Sequence, residues 1–148
     1  MTMYINSTGF YIPSGRVYND HFLEVNGLTS DWILKRTGIC SRSKAAEDEG
    51  HNSMGLAAIA NALENLPYDI KDIDLIVSAS YSPYDTVATL AHITQQKYDI
   101  PDMKAVYASA ACSSFVNGLE IVEGYFAMGK AKKALIVSSE HNTYYSNE

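Results

Sequence analysis

Cys112 stands in the run Ala110-Ala111-Cys112-Ser113-Ser114-Phe115, between a short apolar stretch and a long one with helical periodicity. A sulfur at a strand-to-helix junction meets unsatisfied backbone amides and the positive end of the helix dipole. Together these stabilise a thiolate and can hydrogen-bond a developing oxyanion. The flanking side chains are small, so a substrate chain can reach the sulfur. A cysteine packed as a small core residue suits the same position, and position alone leaves both readings open. Cys40 has no such setting and reads as a structural thiol. Two cysteines cannot form a disulfide framework. The histidines His21, His51, His92 and His141 are scattered, and neither cysteine has a Cys or His at metal-ligand spacing, so no metal is expected. Gly124-Tyr125-Phe126-Ala127-Met128-Gly129-Lys130-Ala131 mimics a phosphate loop, but Ala131 replaces the Ser or Thr that holds magnesium. The segment also ends a helix before a strand, the reverse of the order a phosphate loop needs, and so reads as a helix end.

The chain of 148 residues carries 11 basic and 17 acidic side chains, a net charge of −6, and 47 % apolar residues. One domain over residues 1–148 is expected from that length. The sign of the charge argues against nucleic acid and anionic lipid as partners. No run reaches the ~18 apolar residues of a membrane span. The start, Met1-Thr2-Met3-Tyr4-Ile5-Asn6, lacks the basic and apolar regions of an export signal, so a cytoplasmic location is expected.

Positioning Cys112 requires strands and helices in alternation. Met3 to Tyr11 reads as a strand closed by Pro13-Ser14-Gly15. Ser30 to Lys35 reads as a short helix, capped by Thr29 or Ser30 and ended near Gly38, and Ser41 to Gly50 as a loop. From Ser53 the residues Leu56, Ile59, Ala60 and Leu63 form one stripe of a helix that Pro67 ends. Ile73 to Ser80 is apolar on both faces, the mark of a buried parallel strand. Val87, Leu90, Ala91 and Ile93 suit a further helix. Met103 to Ala108 is a strand, Ser113 to Met128 the longest helix with Gly129 as its cap, and Ala134 to Ser138 the last strand. Short connections between alternating elements predict α/β layers around a largely parallel sheet.

The segment from Ala110 to Phe115, with the strand before it and Gly129…Ala134-Leu135-Ile136-Val137 after it, resembles the nucleophile region of beta-ketoacyl-acyl-carrier-protein synthase III. Thr8-Gly9-Phe10-Tyr11-Ile12-Pro13, Thr29-Ser30-Asp31-Trp32-Ile33 and Arg36-Thr37-Gly38-Ile39 match that family in the same order. The resemblance implies a thiolase-like fold, α/β/α layers around a mixed, mostly parallel sheet, of which this chain is one half of a duplicated whole. It implies that Cys112 takes an acyl group from acyl-CoA as an acyl-enzyme, its backbone amide contributing to the oxyanion hole. Malonyl-acyl carrier protein then decarboxylates and attacks the acyl carbon. Trp32 matches the residue that stacks on the coenzyme A adenine, and Arg36 the basic residue beside it, as suits an indole face and a guanidinium. The coenzyme A thioester is a substrate, and no cofactor is implied. A homodimer is implied. The family's catalytic His and Asn belong to the other half, so this chain alone is expected to be incompetent. Ser114 replaces the glycine usual two residues after the nucleophile, which reshapes the acyl pocket.

Two alternatives stay open: acyl transfer without condensation on the same fold, and a non-catalytic α/β domain that binds a partner. The family's sheet has five strands, ordered 3-2-4-5-1 with the fifth antiparallel. The fifth strand is missing from the strands legible here, so the Met3–Tyr11 segment is expected to lack its neighbour, leaving it displaced or the chain self-associated.

Overall fold

A computed structural model describes residues 3–145. In chain order the elements are β1 (Gly15–Tyr18), α1 (His21–Asn26), α2 (Ser30–Thr37), β2 (Ser41–Lys44), α3 (His51–Leu63), β3 (Leu75–Ala79), α4 (Leu90–Tyr98), β4 (Lys104–Ala108), α5 (Ser114–Ala127) and β5 (Ala134–Val137). Single 3-10 turns lie at Ile70–Asp72 and Asn142–Tyr144. Residues 3–11 and 51–141 form one unit, and residues 12–50 and 142–145 another.

In the larger unit β3 is buried along its whole length and lies between β4 and β5, parallel to both, in the order β4-β3-β5. That order reproduces the expected 3-2-4 succession. Strand side chains alternate between faces. Ile76 therefore packs with Ile59 of α3 and with Leu90 and Ala91 of α4. Leu75 and Val77 turn the other way, toward Val122 of α5. The three-layer α/β/α arrangement follows directly from this alternation. Gly118 lets α5 sit close to the sheet, since a Cβ there would lie 3.2 Å from Ile136 Cγ2. At the far end of α5, Gly129 has φ +67° and donates to Phe126 O, while Lys130 N donates to Tyr125 O, a Schellman close. The glycine cap and the reading of this segment as a helix end both stand.

The Met3–Tyr11 strand needs correction: residues 3–14 join no ladder. The segment lies along α3 instead, with Ser7 Oγ donating to Ala62 O at 2.5 Å and Phe10 N donating to Asn61 Oδ1 at 3.2 Å. Gly9 permits this approach, because a Cβ would fall 2.3 Å from Ala62 N. Among the described residues no strand pairs with the segment, and Tyr4, Ile5 and Phe10 remain largely exposed. Other boundaries shift by a few residues: α3 begins at His51 rather than Ser53, and α4 at Leu90, leaving Val87 exposed.

In the smaller unit β1 and β2 pair antiparallel with Gly15 opposite Lys44 and Tyr18 opposite Ser41. Ser41–Lys44 is thus a strand and not the start of a loop. Its residues are polar and partly or fully exposed, so the ladder rests on backbone pairing and leaves no hydrophobic alternation to read. α1 was equally unmarked; it ends at Gly27, φ +74°. α2 matches expectation, with the Thr29 hydroxyl accepting from Trp32 N at 3.2 Å and Gly38 at φ +72°. Among the described residues no helix is long and apolar enough to cross a membrane.

Candidate active site

Parallel strands deliver their following loops to one edge of the sheet. Register places Ala79 beside Ala108 and Ser78 beside Val137, so residues 80–82, 109–112 and 138–140 all leave the C-terminal edge. Ser80 N donates to Ala108 O at 3.1 Å and Tyr107 OH to Ser80 O at 2.8 Å, tying the first two loops together.

Cys112 is exposed on the second loop. The preceding Ala111 has φ +48°, a left-handed conformation that a residue with a Cβ seldom adopts. Ser113 is the N-cap of α5, and the helix proper starts at Ser114. Cys112 therefore stands at the strand-to-helix junction as expected, and the helix starts one residue later than the expected Ser113. Ser113 Oγ donates to Ala110 O at 2.7 Å, and Asn117 N donates to Ser113 O at 3.0 Å. The Ser114 hydroxyl, almost fully buried, accepts from Ala110 N at 2.8 Å and donates to Ala111 O at 2.7 Å. The turn is thus stitched from beneath, with Cys112 exposed just ahead of a 14-residue helix whose dipole favours negative charge at this end.

The first and third loops share a polar cluster that sequence reading missed. The Glu140 carboxylate accepts from Tyr81 N at 3.1 Å, Ser82 N at 3.2 Å, Ser80 Oγ at 3.2 Å and the Ser82 hydroxyl. Buried His51 places Nε2 3.2 Å from Ser80 Oγ, and Ser139 Oγ donates to His51 O at 2.6 Å. Some sixty residues separate Ser80 from Glu140, so no local spacing announces the cluster; the signal available was that both follow buried strands. Further along the first loop, the Val87 and Ala88 amides bind Asp85 and hold its carboxyl below the usual carboxylate range.

Trp32 and Arg36 lie one helical turn apart on α2, in the smaller unit. The guanidinium carbon sits 5.1 Å from the indole centroid, a cation–π contact, and Trp32 is 45 % exposed. The structure brings these two together as one exposed aromatic–basic surface. A cavity of about 340 Å³ in the larger unit lies between residues 3–9 and β5, lined by Ile59, Phe115, Val122 and Phe126 among others. Cys112, Trp32 and Arg36 do not line it.

Comparison with known proteins supplies the family. A profile of 3-oxoacyl-[acyl-carrier-protein (ACP)] synthase III matches residues 108–148, the stretch that contains Cys112. A beta-ketoacyl-[acyl-carrier-protein] synthase III of Methylococcus capsulatus is 37 % identical over 139 residues, which cover 94 % of this chain and 43 % of that protein. The crystal structure of 3-oxoacyl-[acyl-carrier-protein] synthase III from Aquifex aeolicus superposes with a TM-score of 0.87 at 30 % identity, over 95 % of this chain and 45 % of that one. The synthase III from Thermus thermophilus gives 0.88 at 25 % identity, over 96 % and 44 %. The chain spans less than half the length of these relatives. A thiolase-like α/β fold and similarity along nearly the whole chain agree: this sequence belongs to the 3-oxoacyl-acyl-carrier-protein synthase III family.

Proposed function

We propose that Cys112 is the acyl acceptor of a condensing acyltransferase in fatty acid or related lipid or polyketide biosynthesis. One observation carries the reading: Cys112 is an exposed residue at the C-terminal edge of a parallel sheet, directly ahead of the N-terminus of α5. The sulfur attacks the carbonyl carbon of acyl-CoA, and negative charge develops on the carbonyl oxygen. The Cys112 amide contributes to its stabilisation. The bond to the coenzyme A sulfur then breaks, the proton given up by the Cys112 thiol ends on that sulfur so that coenzyme A leaves as a thiol, and the acyl group stays on Cys112. In the second stage malonyl-acyl carrier protein loses carbon dioxide, its carbanion attacks the acyl carbon, and the Cys112 sulfur is released. That stage requires the family's His and Asn, and none of His21, His51, His92 and His141 matches the former.

Trp32 and Arg36 bind coenzyme A, the indole stacking on adenine and the guanidinium pairing with phosphate. The enzyme works in the cytoplasm as a homodimer, with the thioester as substrate and no cofactor. Incubation with acetyl-CoA and peptide mass mapping test the reading. One acetyl group on the peptide bearing Cys112, matched by an equal release of coenzyme A, is expected. Absence of both would make Cys112 a packed thiol in a binding domain.

A further inference from the structure

We infer that Ser114 is a positioning residue for Cys112, its buried side chain fixing the peptide that joins Ala111 to Cys112. The inference rests on the reading of Cys112 as acyl acceptor. Ala111 is held at φ +48°, where a Cβ is disfavoured, so something must hold it there. Ser114 Oγ does so from both sides: it accepts from Ala110 N at 2.8 Å and donates to Ala111 O at 2.7 Å. Ser114 N adds a second bond to Ala111 O at 3.2 Å. Ser114 is only 2 % exposed, so water does not compete for these bonds.

The described peptide bonds are all trans, and a trans peptide points its C=O and N–H in opposite directions. Anchoring Ala111 O on Ser114 therefore turns the Cys112 N–H of the same peptide away from Ser114, on a residue that is exposed. A glycine at position 114 offers no hydroxyl, and Ala110 N would lose its acceptor. Here a side chain replaces the backbone freedom that a glycine at position 111 would provide.

Four forms of the chain test this: wild type, Ser114→Ala, Ala111→Gly, and the two changes combined. The carbon-13 shifts and amide–α-proton coupling of Ala111 report its φ; Ser114→Ala is expected to move them out of the left-handed range. Acetylation of Cys112 at saturating acetyl-CoA should slow about tenfold in Ser114→Ala, because the oxyanion donor is no longer held. The half-saturating concentration and the rate of alkylation by iodoacetamide, a displacement that forms no oxyanion, should each stay within about twofold. Adding Ala111→Gly should restore acetylation to within about threefold, since glycine holds the left-handed turn unaided. Unchanged Ala111 signals in Ser114→Ala, equal slowing of acetylation and alkylation, or no rescue would each overturn the inference. A wild type that takes no acetyl group refutes the proposed function instead, and the Ala111 signals then decide the clamp alone. If Ser114→Ala does not fold, Ser114→Gly carries the same comparison.

Discussion

The larger unit buries β3 completely and packs helices on both faces of its sheet, whereas among its described residues the smaller unit buries only Ile33 and Asn19. Apolar burial holds the first. The second depends on polar ties: Asn19 Nδ2 donates to Ile39 O at 2.7 Å, Arg42 donates to Asn19 Oδ1 at 3.0 Å, and Arg16 donates to Ser43 Oγ at 2.9 Å. The Arg42 guanidinium also lies 4.5 Å from the centre of the Phe22 ring. Burial gives a stiff platform, since packed interiors resist displacement. Polar ties near water open at lower cost. The candidate nucleophile is thus carried by the rigid unit, and the candidate nucleotide-binding pair by the more yielding one.

The largest expected effect removes the chemistry without touching the fold. Cys112→Ala should eliminate the acetyl adduct entirely, while Cys40→Ala leaves it in place, as intact-mass spectrometry after acetyl-CoA treatment will show. An adduct that survives Cys112→Ala would break the assignment of chemistry to the larger unit.

The stability contrast comes next. Ile76→Ala, in a fully buried strand, should cost about 2–5 kcal/mol in urea denaturation. Val17→Ala in β1, half-buried on a two-stranded ladder, should cost less than about 1 kcal/mol. Equal losses would mean that the smaller unit has a core of comparable strength.

Trp32→Ala and Arg36→Ala should each raise the half-saturating acetyl-CoA concentration about three- to tenfold, with unchanged denaturation midpoints. Calorimetry with coenzyme A gives the same comparison at equilibrium. Unaltered affinity in both variants would remove the nucleotide role from α2.

The smallest effect sharpens the account of the buried strand. Ser78 Oγ is buried and, among the described residues, has no hydrogen-bond partner. Ser78→Ala should be neutral or stabilising by up to about 1 kcal/mol, because an unsatisfied hydroxyl is removed at little loss of volume. A clear loss of stability would show that the hydroxyl is satisfied in solution.

By itself the sequence determined what is local and repetitive. The β-branched run at residues 75–79, the stripe of α3, the Thr29 and Gly129 caps and the small residues around Cys112 are each encoded within a few positions of one another. Such signals survive because burial, propensity and capping act over one or two turns. The family motifs are local in the same sense, which made Cys112, Trp32 and Arg36 stand out as candidates. Only the tertiary structure decided the rest. It laid Met3–Tyr11 along α3 and not in a sheet, because a strand exists only where another backbone pairs with it. It made a strand of the polar Ser41–Lys44 for the same reason, through the backbone of Gly15–Tyr18. It gathered Ser80, Ser82 and Glu140 across a long stretch of chain. And it set Ala111 in a left-handed turn under the hold of Ser114, since a dihedral angle that the residue itself disfavours is fixed by its neighbours in space.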